Sequence, residues 1–261
     1  MQLPFYKYHG TGNDFILIDN RNLLIQNINT EQIRKLCHRR FGIGADGLML
    51  LKSSSDYDFE MDYYNSDGSG GTMCGNGGRC IVAFARHLGI IDTSTKFIAS
   101  DGPHEAQFND EGEVNLKMQN VNTIEENEEY SFLHTGSPHY VRFVFDVNSI
   151  DVLTEGKKVR NSEQFKKEGT NVNFVSKIGT GLAVRTYERG VEDETYSCGT
   201  GSVASAIAYY SKFNLNQVPI NIKTLGGNLQ VSFNKIGNNY KNVYLKGPAV
   251  LVFEGKIDIS V

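Results

Sequence analysis

Apolar and polar residues alternate over several short stretches of this chain. "FILID" (15–19), "EMDYY" (60–64), "VNLKM" (114–118), "YVRFVFDV" (140–147), "LAVRTYE" (182–188), "NLQVSF" (228–233) and "VYLKG" (243–247) carry the two-residue period, or the short apolar runs, of β-strands. Gly226-Gly227 between two apolar stretches reads as a tight hairpin turn. Helical spacing is rarer. "NTEQIRKLCHRR" (29–40) puts Ile33, Leu36 and Cys37 on one face and stops at Gly42. "NSEQFKKEG" (161–169) reads as a short exposed helix. The acidic "IEENEEYSF" (124–132) reads as a solvated connection near the middle of the chain.

Two further helical stretches differ in kind. "GGRCIVAFARHLG" and "GSVASAIAYYSKF" are apolar or small nearly all round, the mark of a helix buried on every side. Two such helices among many strands predict an α/β (α+β) fold of two similar lobes. Each would be a curved, mostly antiparallel sheet wrapped round one buried helix. The expected division falls at the acidic stretch, between 1–120 and 121–249. The entries to the helices match as well: "MCGNGG" and "SCGTGS" both read Cys-Gly-(Asn/Thr)-Gly, one in each half, as a duplication would leave them. "GIGADG" (42–47) satisfies G-x-G-x-x-G, but a helix precedes it and a strand follows. It therefore reads as a turn and not as a nucleotide site.

Composition narrows the chemistry. The 261 residues carry a net charge of −4 with both signs dispersed, so no basic block argues for nucleic acid or an anionic membrane. Apolar runs fall far short of the ~20 residues that span a bilayer. The N-terminus has no charged leader followed by an apolar stretch. Four cysteines in a chain this long make no disulfide framework, and a cytoplasmic protein is expected. The spacing of cysteines and histidines matches no zinc site, so no metal is expected.

Cys37 and Cys80 lie on buried helix faces and read as packing residues. Cys74 and Cys198 each stand immediately before a helix, where the dipole and the first-turn N–H groups favour a thiolate. The glycines after them allow backbone amides to approach a carboxylate. Two equivalent thiols without a second histidine motif suggest symmetric chemistry. One removes a proton from a stereocentre and the other returns one to the opposite face. Two small buried thiols at glycine turns is the alternative that the residues alone leave open.

The chain resembles the diaminopimelate epimerase family over essentially its whole length. The likeness rests on "HGTGNDFILID" (9–19), "YNSDGSGGTMCGNGGRC" (64–80), "YERGVEDETYSCGTGS" (187–202) and "KGPAVLVFEG" (246–255). It implies cofactor-independent interconversion of LL- and meso-diaminopimelate in lysine and cell-wall precursor synthesis, by a homodimer of two-lobed chains with the active site in the cleft between the lobes and a final strand, at about 250–261, that returns to the first lobe. By motif, Cys74 and Cys198 would be the acid/base pair. Gly75, Asn76, Gly199 and Thr200 would hold the reacting α-carboxylate. Asn13, Asn65 and Asn171 would contact substrate, Glu188 and Arg189 would recognise its amino and carboxylate groups, and His139 would support the site. Two departures bear on substrate more than on reaction type. The family commonly has Gly-Asn-Pro-His where this chain has Gly136-Ser137-Pro138-His139, and some members carry glutamine at the position of Gly47. A related two-cysteine racemase for another amino acid, or a thiol redox module, are the competing readings. Asn76 stands where proline racemase relatives typically have histidine.

Overall fold

A computed structural model describes residues 2–109 and 111–258. The chain forms two compact units, Met1–Leu116 with Pro248–Val261, and Lys117–Gly247. In the first, β1 (Gln2–Gly10) and β2 (Asn13–Asp19) lead to α1 (Thr30–Cys37), β3 (Gly47–Lys52), β4 (Phe59–Asn65), α2 (Gly75–His87), β5 (Ser94–Ala99), β6 (Gly102–Phe108) and β7 (Val114–Lys117). The second contains β8 (Ile124–Glu126), β9 (Ser131–His134), β10 (Pro138–Phe143), α3 (Val152–Arg160), β11 (Asn171–Ile178), β12 (Gly181–Glu188), β13 (Asp193–Thr195), α4 (Gly199–Lys212), β14 (Ile220–Thr224), β15 (Gly227–Ile236) and β16 (Asn239–Gly247). The last strand, β17 (Val250–Asp258), pairs antiparallel with β1.

The two units repeat one topology. An antiparallel pair (β1/β2; β9/β10) is followed by an outer helix (α1; α3) and a strand parallel to the second of the pair (β3; β11). An antiparallel strand comes next (β4; β12, to which the short β13 adds in the second unit), then the buried helix (α2; α4) and a strand parallel to that antiparallel strand (β5 to β4; β14 to β12). Within each unit the pairing is therefore mostly antiparallel with two parallel joins, each spanned by a helix as parallel strands require.

Helices cover both faces of the inner strands. Ile16, Ile18, Leu48 and Leu50 point to the α1 layer with Ile33, Leu36 and Cys37. Phe15 and Met49 lie against Gly77 of α2. In the second unit Val172 and Phe174 join Val152 and Tyr187 beneath α3. Strands buried on both faces read as unbroken apolar runs, which explains "FILI" and "LMLL".

Three local expectations change. The acidic stretch 124–132 pairs as the β8/β9 hairpin rather than crossing solvent unpaired. The segment 161–169 is a series of turns, closed by Lys166 N–H to Ser162 O at 2.8 Å and Gly169 N–H to Phe165 O at 2.7 Å. The helix is α3, just before it, capped by Asp151 accepting from Thr154 N–H at 3.1 Å. Gly156 concealed that helix by lowering its propensity, yet a Cβ there would stand 2.5 Å from Tyr187 Cγ. Finally, β10 stops at Phe143, because Asp146 caps a 3-10 turn at Val147–Ser149. The Gly226-Gly227 hairpin forms, with Thr224 paired to Gly227. The 42–47 segment is the expected turn, its N–H groups satisfying the Leu36 and Cys37 carbonyls at the end of α1. Among the described residues no helix is long and apolar enough to cross a membrane.

Candidate active site

Cys74 is the N-cap of α2, with extended backbone (φ −105°, ψ 153°), and its Sγ accepts the Gly77 N–H at 3.2 Å. Gly77 must lack a side chain, because Met49 Cε and Phe15 press against it from the sheet. Cys198 is the N-cap of α4 (φ −115°, ψ 115°), with Sγ 3.5 Å from Thr200 Oγ1. Gly201 repeats the role of Gly77: a Cβ there would collide with Asn173 Oδ1 and stand 3.3 Å from Cys198 Sγ. In both units a strand side chain pins the first helical turn and a glycine three positions on admits it. Each thiol sits where unpaired helical N–H groups concentrate positive potential.

In the first unit the structure brings Asn13 and Asn76 together beside Cys74. Asn76 Nδ2 donates to Asn13 Oδ1 at 3.3 Å, and Asn13 Nδ2 donates to Asp46 Oδ2 at 2.7 Å. Behind Asn13 lies an ion-pair chain. Buried Lys7 meets Asp14 at 2.7 Å and also donates to Gly44 O; Arg39 bridges Asp14 and Asp46, each at 2.7 Å. Burial alone would raise the Asp14 carboxyl, but hydrogen bonds and charge from Arg39 and Lys7 hold it well below the ordinary carboxylate range. Asn65 closes β4, opposite Gly47, and its Nδ2 donates to Ser69 Oγ at 3.1 Å. At Gly47 a Cβ would lie 2.5 Å from the Tyr63 ring and 2.7 Å from Tyr64 O, so a tyrosine fills the space a longer residue would need.

In the second unit His139 pairs with Asn171 in the β10/β11 register. It is 0 % exposed. Its Nδ1 lies 3.1 Å from Asn173 Nδ2, while Nε2 is buried without a hydrogen-bond partner. Asn173 also donates to Tyr140 O at 3.0 Å and accepts from Thr186 Oγ1 at 3.0 Å, so its amide, and with it the His139 tautomer, is fixed. Asn171 donates to Pro138 O at 3.2 Å and accepts the Arg189 N–H at 2.9 Å. The Arg189 guanidinium donates to Glu168 O at 2.9 Å, and Glu188 accepts from Thr195 Oγ1 at 2.9 Å. Thr135 Oγ1 donates to Thr200 O at 2.9 Å.

Burial, then the charges of His134 and Arg189, lowers the His139 pKa to about 3. Its folded value lies below the unfolded 6.5, so between these limits the unfolded chain binds the extra proton. Stability is expected to fall as pH drops from about 6.5 towards 3. Urea titrations across that range should show a shallower slope for His139→Gln. An unchanged slope would mean His139 is protonated in the folded state.

Sequence reasoning missed Arg79, Asn173 and the Lys7–Asp14–Arg39–Asp46 chain. Arg79 had a signal, since it is the one charge in the first two turns of an otherwise small and apolar helix. Asn173 shares a strand face with Asn171 two positions away, a signal of the same kind. The ion-pair chain had none, because its four residues meet only when β1, β2 and the end of α1 pack. Cys37 and Cys80 are buried thiols outside any disulfide.

The sequence model of the family described as Diaminopimelate epimerase matches residues 5–124 and 131–252. A diaminopimelate epimerase of Flavobacterium psychrophilum is 52 % identical over 258 residues, 98 % of this chain and 100 % of the relative. One of Chlorobaculum tepidum is 44 % identical over 260 residues, 96 % and 99 % of the two chains. Among solved structures, a phenazine biosynthesis protein of the PhzF family from Bacillus anthracis matches with TM-score 0.79 at 13 % identity, covering 99 % of both chains. A hydroxyproline epimerase from Agrobacterium vitis, with bound trans-4-OH-L-proline, matches with TM-score 0.70 at 14 % identity, covering 98 % of this chain and 92 % of that one. At such identities the structures speak for the fold alone: two lobes, rich in sheet, with few helices. Sequence identity of this extent over nearly the whole chain, together with the match of the family model, makes the chain a member of the diaminopimelate epimerase family.

Proposed function

We propose that the protein interconverts LL- and meso-2,6-diaminopimelate by two-base proton transfer between Cys74 and Cys198, without a cofactor. The observation that carries this reading is the duplicated cap: two cysteines, each beginning a buried helix, each followed by Gly-(Asn/Thr)-Gly. One thiolate takes the α-proton, and the C–H electron pair stays on the carbon, spread into the carboxylate. The other thiol delivers its proton to the opposite face. The roles of the sulfurs are then exchanged, ready for the reverse direction. Helix-terminal N–H groups at Gly75, Asn76, Gly199 and Thr200 stabilise the charge that develops on the carboxylate. Asn13, Asn65, Asn171, Glu188 and Arg189 contact the rest of the substrate, and His139 supports the Cys198 side. The reading includes a cytoplasmic homodimer serving lysine and peptidoglycan precursor synthesis, with no nucleic-acid or membrane partner. It draws on the names of the relatives and the matched motifs.

Incubation with LL-diaminopimelate in deuterated water under reducing conditions tests it. Meso product carrying deuterium at the inverted α-carbon is expected. Exchange with proline or hydroxyproline in place of diaminopimelate would transfer the reaction to another substrate. Absence of exchange with any of these amino acids would end the epimerase reading.

A further inference from the structure

We infer that Arg79 is a positioning residue of the proposed epimerase: its buried guanidinium fixes the Asn76 amide and supplies the positive charge that makes Cys74, and not Cys198, the thiolate of the resting protein. The inference rests on the two-thiol reading above and adds the origin of the asymmetry between two otherwise duplicated sites.

Arg79 lies one turn into α2 and is 0 % exposed. Burying a guanidinium is costly, and the usual remedy is a carboxylate beside it. Arg79 has none among its hydrogen bonds. It donates to Gly75 O at 3.0 Å, Asn76 Oδ1 at 3.0 Å, Thr11 Oγ1 at 3.2 Å and Pro248 O at 3.4 Å, all neutral acceptors. Two of these belong to the residues that directly follow Cys74. With Oδ1 held by Arg79, the Asn76 amide must turn Nδ2 outward to Asn13, as it does at 3.3 Å.

The ionisable groups whose charge reaches Arg79 are Cys80, Cys74 and Glu113. Burial pushes the Cys80 thiol far up, so it stays neutral. Glu113 is half-buried and accepts from Asn109 Nδ2 at 3.0 Å. Glu113 and Cys74 are therefore the two anion formers whose charge reaches Arg79, and of these Cys74 stands at the head of the helix that carries it. Desolvation lowers Arg79 to about 10, which still leaves it charged at neutral pH.

The second motif lacks this cation. Counting five residues from each cysteine gives Arg79 in α2 and Val203 in α4, both 0 % exposed. Cys74 Sγ accepts a helix N–H, whereas Cys198 makes no such side-chain cap bond to α4. Burial keeps His139 neutral, and Arg189 is exposed to solvent. Of the two duplicated helices, α2 alone thus carries a buried positive charge.

The test is the pH dependence of iodoacetamide alkylation in the full-length protein, localised by tandem mass spectrometry. Cys74 is followed in a Cys198→Ser background and Cys198 in a Cys74→Ser background. Cys74 is expected to titrate below the ordinary thiol value of about 8.5 and below Cys198. Arg79→Met should raise the Cys74 midpoint by about one pH unit or more and leave Cys198 in place, while Arg79→Lys keeps most of the shift. A folded Arg79→Met protein with an unchanged Cys74 midpoint overturns the inference. If Arg79→Met does not fold, the order of the two midpoints in the backgrounds that retain Arg79 decides: Cys198 at or below Cys74 overturns it. These readouts need no substrate, so they stand apart from the diaminopimelate assay. If that assay fails while the alkylation result holds, the substrate assignment falls and the charge asymmetry remains.

Discussion

Serine in place of Cys74 or Cys198 is expected to leave a folded protein whose kcat/KM for diaminopimelate is lower by about 10²–10⁴-fold. On the proposed mechanism the sulfur has two duties that serine separates. As an N-cap, serine is at least as good an acceptor for the first-turn N–H groups, so Gly77 N–H keeps a partner and the thermal midpoint should move little. As an acid/base group it fails, because a hydroxyl ionises far above working pH while a thiol at a helix N-terminus does not. Each single variant retains one functional thiol. Cys74→Ser should therefore still wash deuterium into one diaminopimelate stereoisomer through Cys198, without inverting it, and Cys198→Ser should do so for the other. Inversion at more than about a tenth of the wild-type rate in either variant would remove that cysteine from the acid/base pair.

The second large effect is one of stability. Asp14→Ala strips a buried ammonium of its counter-ion. Lys7 is 6 % exposed, and its Nζ lies 2.7 Å from Asp14. Removing one member of a buried pair costs about 3–5 kcal/mol, mostly as the penalty on the charge left behind. Lys7→Met/Asp14→Leu, which removes both charges, should recover a large part of that loss. Arg39→Ala should cost far less, since Arg39 is mostly exposed and its pairs are screened. The Asp14 carboxyl is depressed in the folded state by Arg39 and Lys7, against the opposing effect of burial. Its contribution is therefore complete above the unfolded value of about 3.9 and is lost as pH falls through the lower folded value. Urea titrations at pH 7 and between pH 5 and 3 measure both effects. A loss below about 1 kcal/mol for Asp14→Ala would show that water compensates Lys7. Because Asp46 receives Asn13 and shares Arg39 with Asp14, the same variant should also raise KM.

Much of the candidate site was legible because its chemistry is local in sequence. Cys74 with Gly75 and Asn76, and Cys198 with Gly199 and Thr200, are contiguous, and a helix cap is a property of neighbouring residues. The capping box of α1, Asn29 with Gln32, is legible for the same reason. The errors fell where packing overrode local preference. Gly156 weakens the pattern of α3, yet Tyr187 demands it. The acidic residues 124–132 look solvated, yet Ile124, Glu125 and Glu126 pair with Leu133, Phe132 and Ser131 across β8 and β9. The ion-pair chain behind Asn13 draws Lys7 from β1, Asp14 from β2, and Arg39 and Asp46 from the turn after α1, so no window of sequence contains it.

By itself, then, the sequence determined the family, the mixed sheet-rich fold, the two capped and buried helices and the cysteines that begin them. All of these are set by periodicity, glycine placement and motif, which act over a few residues. Arg79 and Val203 stand at matching places in the sequence, but only the tertiary structure decided that the guanidinium is buried among neutral hydrogen-bond acceptors. It alone also decided that His139 is sealed from water with its tautomer set by Asn173. Desolvation and charge depend on what surrounds a group in three dimensions, and the sequence neighbours of Arg79 and His139 do not reveal it.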